Sequence, residues 1–305
     1  MTSDWRPVNP AWEVAAPTRA ELGERPVWDD SDDTVVWVDI DRCQVRRLTP
    51  STGTDVVVLQ ADDPVGCVAL RSDGGLVAGA GRQVLLLDHD GTVRARFEAP
   101  GAADAVFNDG AVDPAGRFVA GTSTADTRSG GGALYAFDAD HGARLLVDGV
   151  TESNGVDWSP DGTTMYYVDS GETSFGAASQ TAVRRYAYDV ASGAVERGPD
   201  LTVLAEAEGI PDGLVVDAEG AIWLAVWGGA EVRRYAPDGV LAGRVPLPAS
   251  LVTCPGFGGP DLTDLYVTTA QQGMDAAARA AEPKAGHVFR LRPGVAGRSP
   301  YRYLG

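Results

Sequence analysis

The chain is patterned in short apolar strands and not in helical periods. A polar residue, a short apolar run, a turn built on Asp and usually Gly, and a second apolar run recur as one unit. The clearest copies are ERPVWDDSDDTVVWVDI from Glu24, NDGAVDPAGRFVAGT from Asn108, NGVDWSPDGTTMYYVDS from Asn154 and IPDGLVVDAEGAIWLAVWGG from Ile210. GCVALRSDGGLVAGA from Gly66 and TCPGFGGPDLTDLYVTT from Thr253 are weaker copies. Aligned, the leading residues are Glu24, Gly66, Asn108, Asn154, Asp212 and Thr253, spaced by 42, 42, 46, 58 and 41 residues. Self-similarity at that period marks an array of supersecondary units, here six.

Each unit runs on into a further alternation, such as QVLLLDHDGT, GALYAFDADHG, AVRRYAYDVASG, EVRRYAPDG and HVFRLRPG. Four short strands per unit predict the blade of a β-propeller. The longest gap is assigned to an insertion, GETSFGAASQTA, after Asp169. A short Ala-rich helix is predicted over 276–283, and the N-terminal WEVAAPT is expected to supply a strand that closes the last blade and removes an open sheet edge. The predicted architecture is all-β, a six-bladed propeller with a central metal-binding channel, as a single domain over residues 1–305. That length fits one propeller because stability is shared between neighbouring blades.

Composition narrows the function classes. A net charge of −18 disfavours nucleic acid, since phosphate neutralisation needs clustered Lys and Arg, and the same sign favours a divalent cation. No apolar run reads as a transmembrane span or a signal peptide, so a cytoplasmic protein without a membrane or obligate protein partner is expected. Cys43, Cys67 and Cys254 are too few and scattered for a zinc motif or disulfide framework and read as thiols in a reducing compartment. His89, His141 and His287 lie away from the leading residues and read as surface or structural positions. RSGGGALY precedes a strand and lacks the Gly-Lys-Ser/Thr of a phosphate loop, so it reads as a flexible loop or, with GETSFGAASQTA, a lid at the channel mouth.

In a propeller the innermost strand of each blade lines the channel, so residues of one phase converge although distant in sequence. Glu24, Asn108, Asn154 and Asp212 share that phase and bring two carboxylates and two amides together. Taken singly, Asn154-Gly155 and Asp212-Gly213 read as turn residues. Glu24 does not, because glutamate has no special turn role and burial without a partner is costly. Oxygen donors without His or Cys suit a hard divalent ion, Ca²⁺ or Mg²⁺ ahead of Mn²⁺ or Zn²⁺.

LGERPVWDD, FNDGAVDPAGRFVAGT, SNGVDWSPDGTTMYYVDS, IPDGLVVDAEGAIWLAVWGG and the terminal LYVTTA, GMD and GHVFRL resemble the gluconolactonase and senescence-marker-protein (regucalcin-like) family, in family order from about residue 20 to PYRYLG. The resemblance implies one catalytic divalent cation in the channel and hydrolysis of sugar lactones. It implies Glu24, Asn154 and Asp212 as metal ligands and Asn108 as a substrate- or water-contacting residue, followed by Asp109. Two positions depart from the family: Val106 stands where an arginine is common, and Asp126 where some members carry glutamate. Valine makes none of the forked hydrogen bonds of arginine. The metal shell therefore looks intact while the substrate-reading shell, Val106, Asn108, Asp109 and Asp126, looks altered.

The expected function is metal-dependent hydrolysis of a small-molecule lactone, most often an aldonolactone, with Asp212 as general base and Asp109 as the alternative. Ca²⁺ is the expected cofactor, and three protein ligands plus waters also admit Zn²⁺, Mn²⁺ or Mg²⁺. Competing expectations are a hydrolase of a less polar lactone, ester or phosphotriester, and a non-catalytic calcium-binding propeller.

Overall fold

The structure, a computed structural model, describes residues 11–140, 142–171 and 180–305. Six antiparallel sheets follow one another along the chain and form the blades of a propeller. Their innermost strands are Gly23–Asp29, Val65–Leu70, Ala105–Val112, Ser153–Trp158, Ile210–Val216 and Val252–Gly258. Each begins a unit recognised from the hydrophobic pattern.

Alternation explains the packing. Because successive side chains leave a strand on opposite faces, each sheet is apolar on both sides and must be covered twice. Among the described residues the core accordingly divides into six apolar clusters, one in each gap between neighbouring blades. Fully buried Trp37, Trp158 and Trp223 are the largest pieces of three of them.

The ring is closed as expected from WEVAAPT. Trp12–Val14 pairs antiparallel with Phe289–Leu291, in register Trp12 to Leu291, and becomes the outermost strand of the sixth blade. A short helix, Ala276–Ala281, is capped by Asp275, whose side chain accepts from the Ala278 N–H. Blade 4 differs from the expected unit. Besides its insertion it carries a fifth strand, Thr202–Ala205, paired with Gln180–Tyr188. Residues 172–179 of the insertion and His141 lie outside the described residues.

Much of the acidity is structural. The turn after the innermost strand carries a buried Asp whose oxygen accepts backbone N–H groups: Asp113 from Ala115 and Arg117, Asp217 from Glu219 and Ala221. An arginine of the third strand then reaches that Asp, Arg47 to Asp29 at 3.1 Å and Arg234 to Asp217 at 2.6 Å. The Arg-Arg doublets of blades 1 and 5 thus staple the third strand to its own first turn.

The C-terminal segment crosses one face of the ring. Arg298 Nη2 donates to Asp157 Oδ1 at 3.1 Å and to Trp158 O at 2.7 Å, and the Tyr303 hydroxyl donates to Asp138 O at 2.6 Å. Arg298 and Tyr301 cover a small cavity, about 70 Å³, at the downstream ends of the innermost strands. Among the described residues, no helix is long and apolar enough to cross a membrane.

Candidate functional site

All six innermost strands break register with their neighbour at the leading residue or, in blade 1, directly after it. The pairing skips between Glu24 and Val27, Val65 and Cys67, Phe107 and Gly110, Ser153 and Val156, Pro211 and Leu214, and Val252 and Cys254. A β-bulge of this kind re-aims the side chain it carries. The Asn-Gly and Asp-Gly pairs are therefore bulge residues inside strands and not turn residues. Gly155 and Gly213 are also not in the left-handed backbone region. Their need is space: a Cβ on Gly155 would lie 2.5 Å from Leu214 N and 2.8 Å from Asp212 O, and one on Gly213 2.5 Å from Cys254 Sγ.

Near the axis, Glu24, Asn108, Asn154 and Asp212 meet in one cavity of about 260 Å³. Glu152 and Ser170 contribute further oxygens, and Gln272 stands at its edge. Leu22, Ile40, Ile210, Pro211 and Trp227 form an apolar wall. The other two leading positions bring no donor into it. Gly66 packs on the Phe107 carbonyl, and Thr253 Oγ1 donates to Gly23 O at 2.6 Å across the closing seam of the ring.

The donors are held in place. Glu24 Oε2 accepts the N–H of Arg25 at 2.8 Å. Asn108 Nδ2 donates to Ser153 O at 2.7 Å and to Asn154 Oδ1 at 3.1 Å. Asn154 Nδ2 donates to Ser170 Oγ at 2.8 Å, and Ser170 Oγ donates to Pro211 O at 2.7 Å.

The carboxylates crowd one another. Burial and then the charge of Asp109 push Glu24 up to about 8. Asp212 is pushed well above the usual carboxylate range by burial and by Glu24, Glu152 and Asp109. Burial raises Asp109 as well, against the opposing pull of Arg25. Arg25 Nη1 is 3.7 Å from Asp109 Oδ1, and Asp109 Oδ2 is buried without a hydrogen-bond partner. A single guanidinium thus faces several buried carboxyl groups, and a divalent cation would complement the excess. The lining donors are oxygens with no imidazole or thiol, as a hard cation prefers. The residues present fit the group.

The other expected site residues are placed elsewhere. Asp109 follows Asn108 in the bulge but points away from the cavity, with Oδ1 accepting the Gly110 N–H at 2.6 Å. Val106 is half-buried two residues before Asn108, paired with Ser123, and does not line the cavity. Asp126 is exposed in a loop where it accepts the Arg128 N–H at 3.3 Å. In the RSGGG loop, the Gly130 N–H donates to Thr151 Oγ1 at 3.1 Å, which ties the loop to blade 4. Of the histidines, His287 Nδ1 lies 3.1 Å from Ala16 O and from Thr18 O. His89 Nε2 lies 2.9 Å from Asp32 Oδ2 beside Asp29, but Arg47 already supplies the positive charge there, 2.8 Å from Asp32 and 3.1 Å from Asp29. Cys67 and Cys254 are buried, and burial pushes both thiols up, so they stay protonated.

The sequence profile described as the SMP-30/Gluconolactonase/LRE-like region matches residues 22–271. The chain belongs to this family. It is 37% identical over 298 residues to regucalcin of Danio rerio, covering 96% of this chain and 98% of the relative. Two solved structures superpose with a TM-score of 0.86. One is a calcium-binding protein, regucalcin, from Agrobacterium tumefaciens, 29% identical, with 97% of this chain and 98% of that one covered. The other is a luciferin-regenerating enzyme, 28% identical, with 97% and 100% covered. The family thus unites a calcium-binding protein and an enzyme on one scaffold, and the cavity chemistry must decide what this chain does.

Proposed function

We propose that the protein is a divalent-cation-dependent lactone hydrolase, with Glu24, Asn154 and Asp212 holding the cation. The observation that carries this is the convergence of four oxygen-bearing side chains in one cavity, Asn108, Asn154 and Asp212 from the bulge of their innermost strands and Glu24 from the position directly before its bulge. The family description, which includes gluconolactonase, favours a lactone, and the calcium-binding description of the relative from Agrobacterium tumefaciens favours Ca²⁺ among the hard cations.

The cation would supply Lewis acidity to a carbonyl oxygen and an electrostatic counter-charge to the oxyanion. This chain's residues do the rest. Asp212 lines the cavity beside Glu24, Asn154 and Glu152, and its second carboxylate oxygen is the base that takes a proton from water. Glu152 lies in the same cavity, held above its ordinary range by burial and by Asp169, and can carry a proton beside it. Asn108 uses its amide nitrogen on Ser153 and Asn154, which leaves its oxygen to orient a ring hydroxyl or a water. The apolar wall of Leu22, Ile40, Ile210 and Trp227 limits the water around the reacting centre.

A second reading concerns the ring and not the reaction. That wall favours a lactone with few hydroxyls over a polyhydroxylated one, and Val106, outside the cavity lining, supplies none of the charged donors that the longer side chain of an arginine would bring. The test of the reaction class is turnover on a lactone panel after chelation and after Ca²⁺ is restored. Activity lost and regained supports the proposal. Activity on no lactone with Ca²⁺, Mg²⁺, Mn²⁺ or Zn²⁺ rejects it and leaves a non-catalytic cation-binding propeller.

A further inference from the structure

An amide offers a cation only its oxygen, so a metal-holding asparagine needs something that forbids the flipped orientation. We propose that Ser170 is that positioning residue: its hydroxyl bridges Asn154 to the backbone just before Asp212 and turns the Asn154 oxygen toward the cavity. Ser170 is 2% exposed and directly follows the strand Thr164–Asp169 of blade 4. Its Oγ lies 2.8 Å from Asn154 Nδ2 and 2.7 Å from Pro211 O.

The direction of each bond follows from proton counting. A carbonyl only accepts, so the single hydroxyl proton of Ser170 goes to Pro211 O. The Ser170 oxygen is then left to accept, and only the NH₂ end of Asn154 can donate to it. Asn154 Oδ1 therefore faces the other way, where Asn108 Nδ2 meets it at 3.1 Å. With the amide flipped, two NH₂ groups would confront each other and Oδ1 would face an oxygen whose proton is committed. Both faults arise where the three side chains line one cavity, and an unmade buried hydrogen bond is costly.

Ser170 also sets a distance. Pro211 immediately precedes Asp212 in the innermost strand Ile210–Val216, so one hydroxyl ties the Asn154 side chain of blade 4 to the Asp212 backbone of blade 5. The proposal rests on the reading that Asn154 and Asp212 belong to one cation site. An outer-shell hydroxyl that orients a ligand is worth about 10- to 100-fold in metal affinity.

The test is Ca²⁺ calorimetry on chelator-stripped full-length protein, with circular dichroism to verify folding, in a double-mutant cycle. Ser170→Ala is expected to weaken Ca²⁺ binding by about 10- to 100-fold in the wild-type background. A carboxylate presents an oxygen whichever way it is turned, so in the Asn154→Asp background the same change is expected to cost less than about 3-fold. Ser170→Thr, which keeps the hydroxyl, should restore most of the affinity. Equal losses in the two backgrounds, or no loss in the wild type, would overturn the proposal alone. No Ca²⁺ binding by the wild-type protein would remove both the proposal and the cation site beneath it.

Discussion

Asn108 Nδ2 donates to Asn154 Oδ1 at 3.1 Å, so two amides that lie 46 residues apart share one hydrogen bond across the gap between blades 3 and 4. Each sits in the bulge of its innermost strand, and the bond is the direct side-chain evidence that equivalent phases converge. Asn108→Ala removes this bond and the one to Ser153 O. It should lower turnover at least about 10-fold by freeing substrate and water, whereas two partly exposed hydrogen bonds cost only ~1 to 2 kcal/mol of stability. That corresponds to a fall of a few degrees in the melting temperature of the Ca²⁺-loaded protein. An inactive variant that is also largely unfolded would instead mark Asn108 as a folding residue.

Gly155 and Gly213 are legible in the sequence only as turn glycines, and the structure gives them another duty. A Cβ at Gly155 would press on Leu214 N and Asp212 O, and overpacking of this kind costs ~1 to 3 kcal/mol or more. Gly155→Ala should lower the melting temperature by several degrees and weaken cation binding, because it displaces the strand that carries Asp212. Gly243 has no atom within 4 Å of its added Cβ, so Gly243→Ala should change neither. Equal melting temperatures for the two variants would contradict the close approach of blades 4 and 5.

Without a cation, Glu24 in the folded protein titrates at about 8, against an ordinary value of 4.5. Between those values the folded chain holds a proton that the unfolded chain has released, so stability falls as pH rises through that window. Asp212 is shifted in the same direction. The stripped protein should therefore melt at a higher temperature at pH 6 than at pH 8.5, with a shallower dependence in Glu24→Gln. Ca²⁺ should reverse the trend, since cation binding takes the deprotonated carboxylates. A stripped protein that gains stability from pH 6 to 8.5 would show that Glu24 is not raised.

Val106 tests the breadth of the substrate. A charged hydrogen bond from an arginine there is worth ~1.5 to 3 kcal/mol, or roughly one to two decades. Val106→Arg should raise kcat/KM for an aldonolactone relative to its deoxygenated analogue by about that factor. If the wild type already prefers the hydroxylated ring strongly, polar readout comes from elsewhere in the cavity, with Asn108, Glu152 and Gln272 the available groups.

The fold and the four leading donors were legible because strand period and repeat phase are properties of the chain alone. Glu24, Asn108, Asn154 and Asp212 could be aligned without knowing how any blade twists. Glu152 lies two residues before Asn154, and the strand period of two is the only sequence signal that points to it, because it precedes the repeat's leading position. Ser170 ends its unit at the same offset from Asn154 as Ile40 does from Glu24, so repeat phase is the signal that points to it, whereas Trp227 and Gln272 reach the cavity from the end of a second strand and the loop after one, outside that phase. The pairing of Arg25 with Asp109 was equally invisible, because it depends on which way each bulge turns its second residue.

The central claim is that Glu24, Asn154 and Asp212 hold one divalent cation. The most direct measurement is calorimetric titration of Ca²⁺ into chelator-stripped wild type and into the triple variant Glu24→Ala, Asn154→Ala, Asp212→Ala, with folding verified by circular dichroism. One Ca²⁺ bound per wild-type chain and none in the folded triple variant is the result expected from the cavity. Stoichiometric binding that survives in the triple variant would contradict it and place the cation elsewhere.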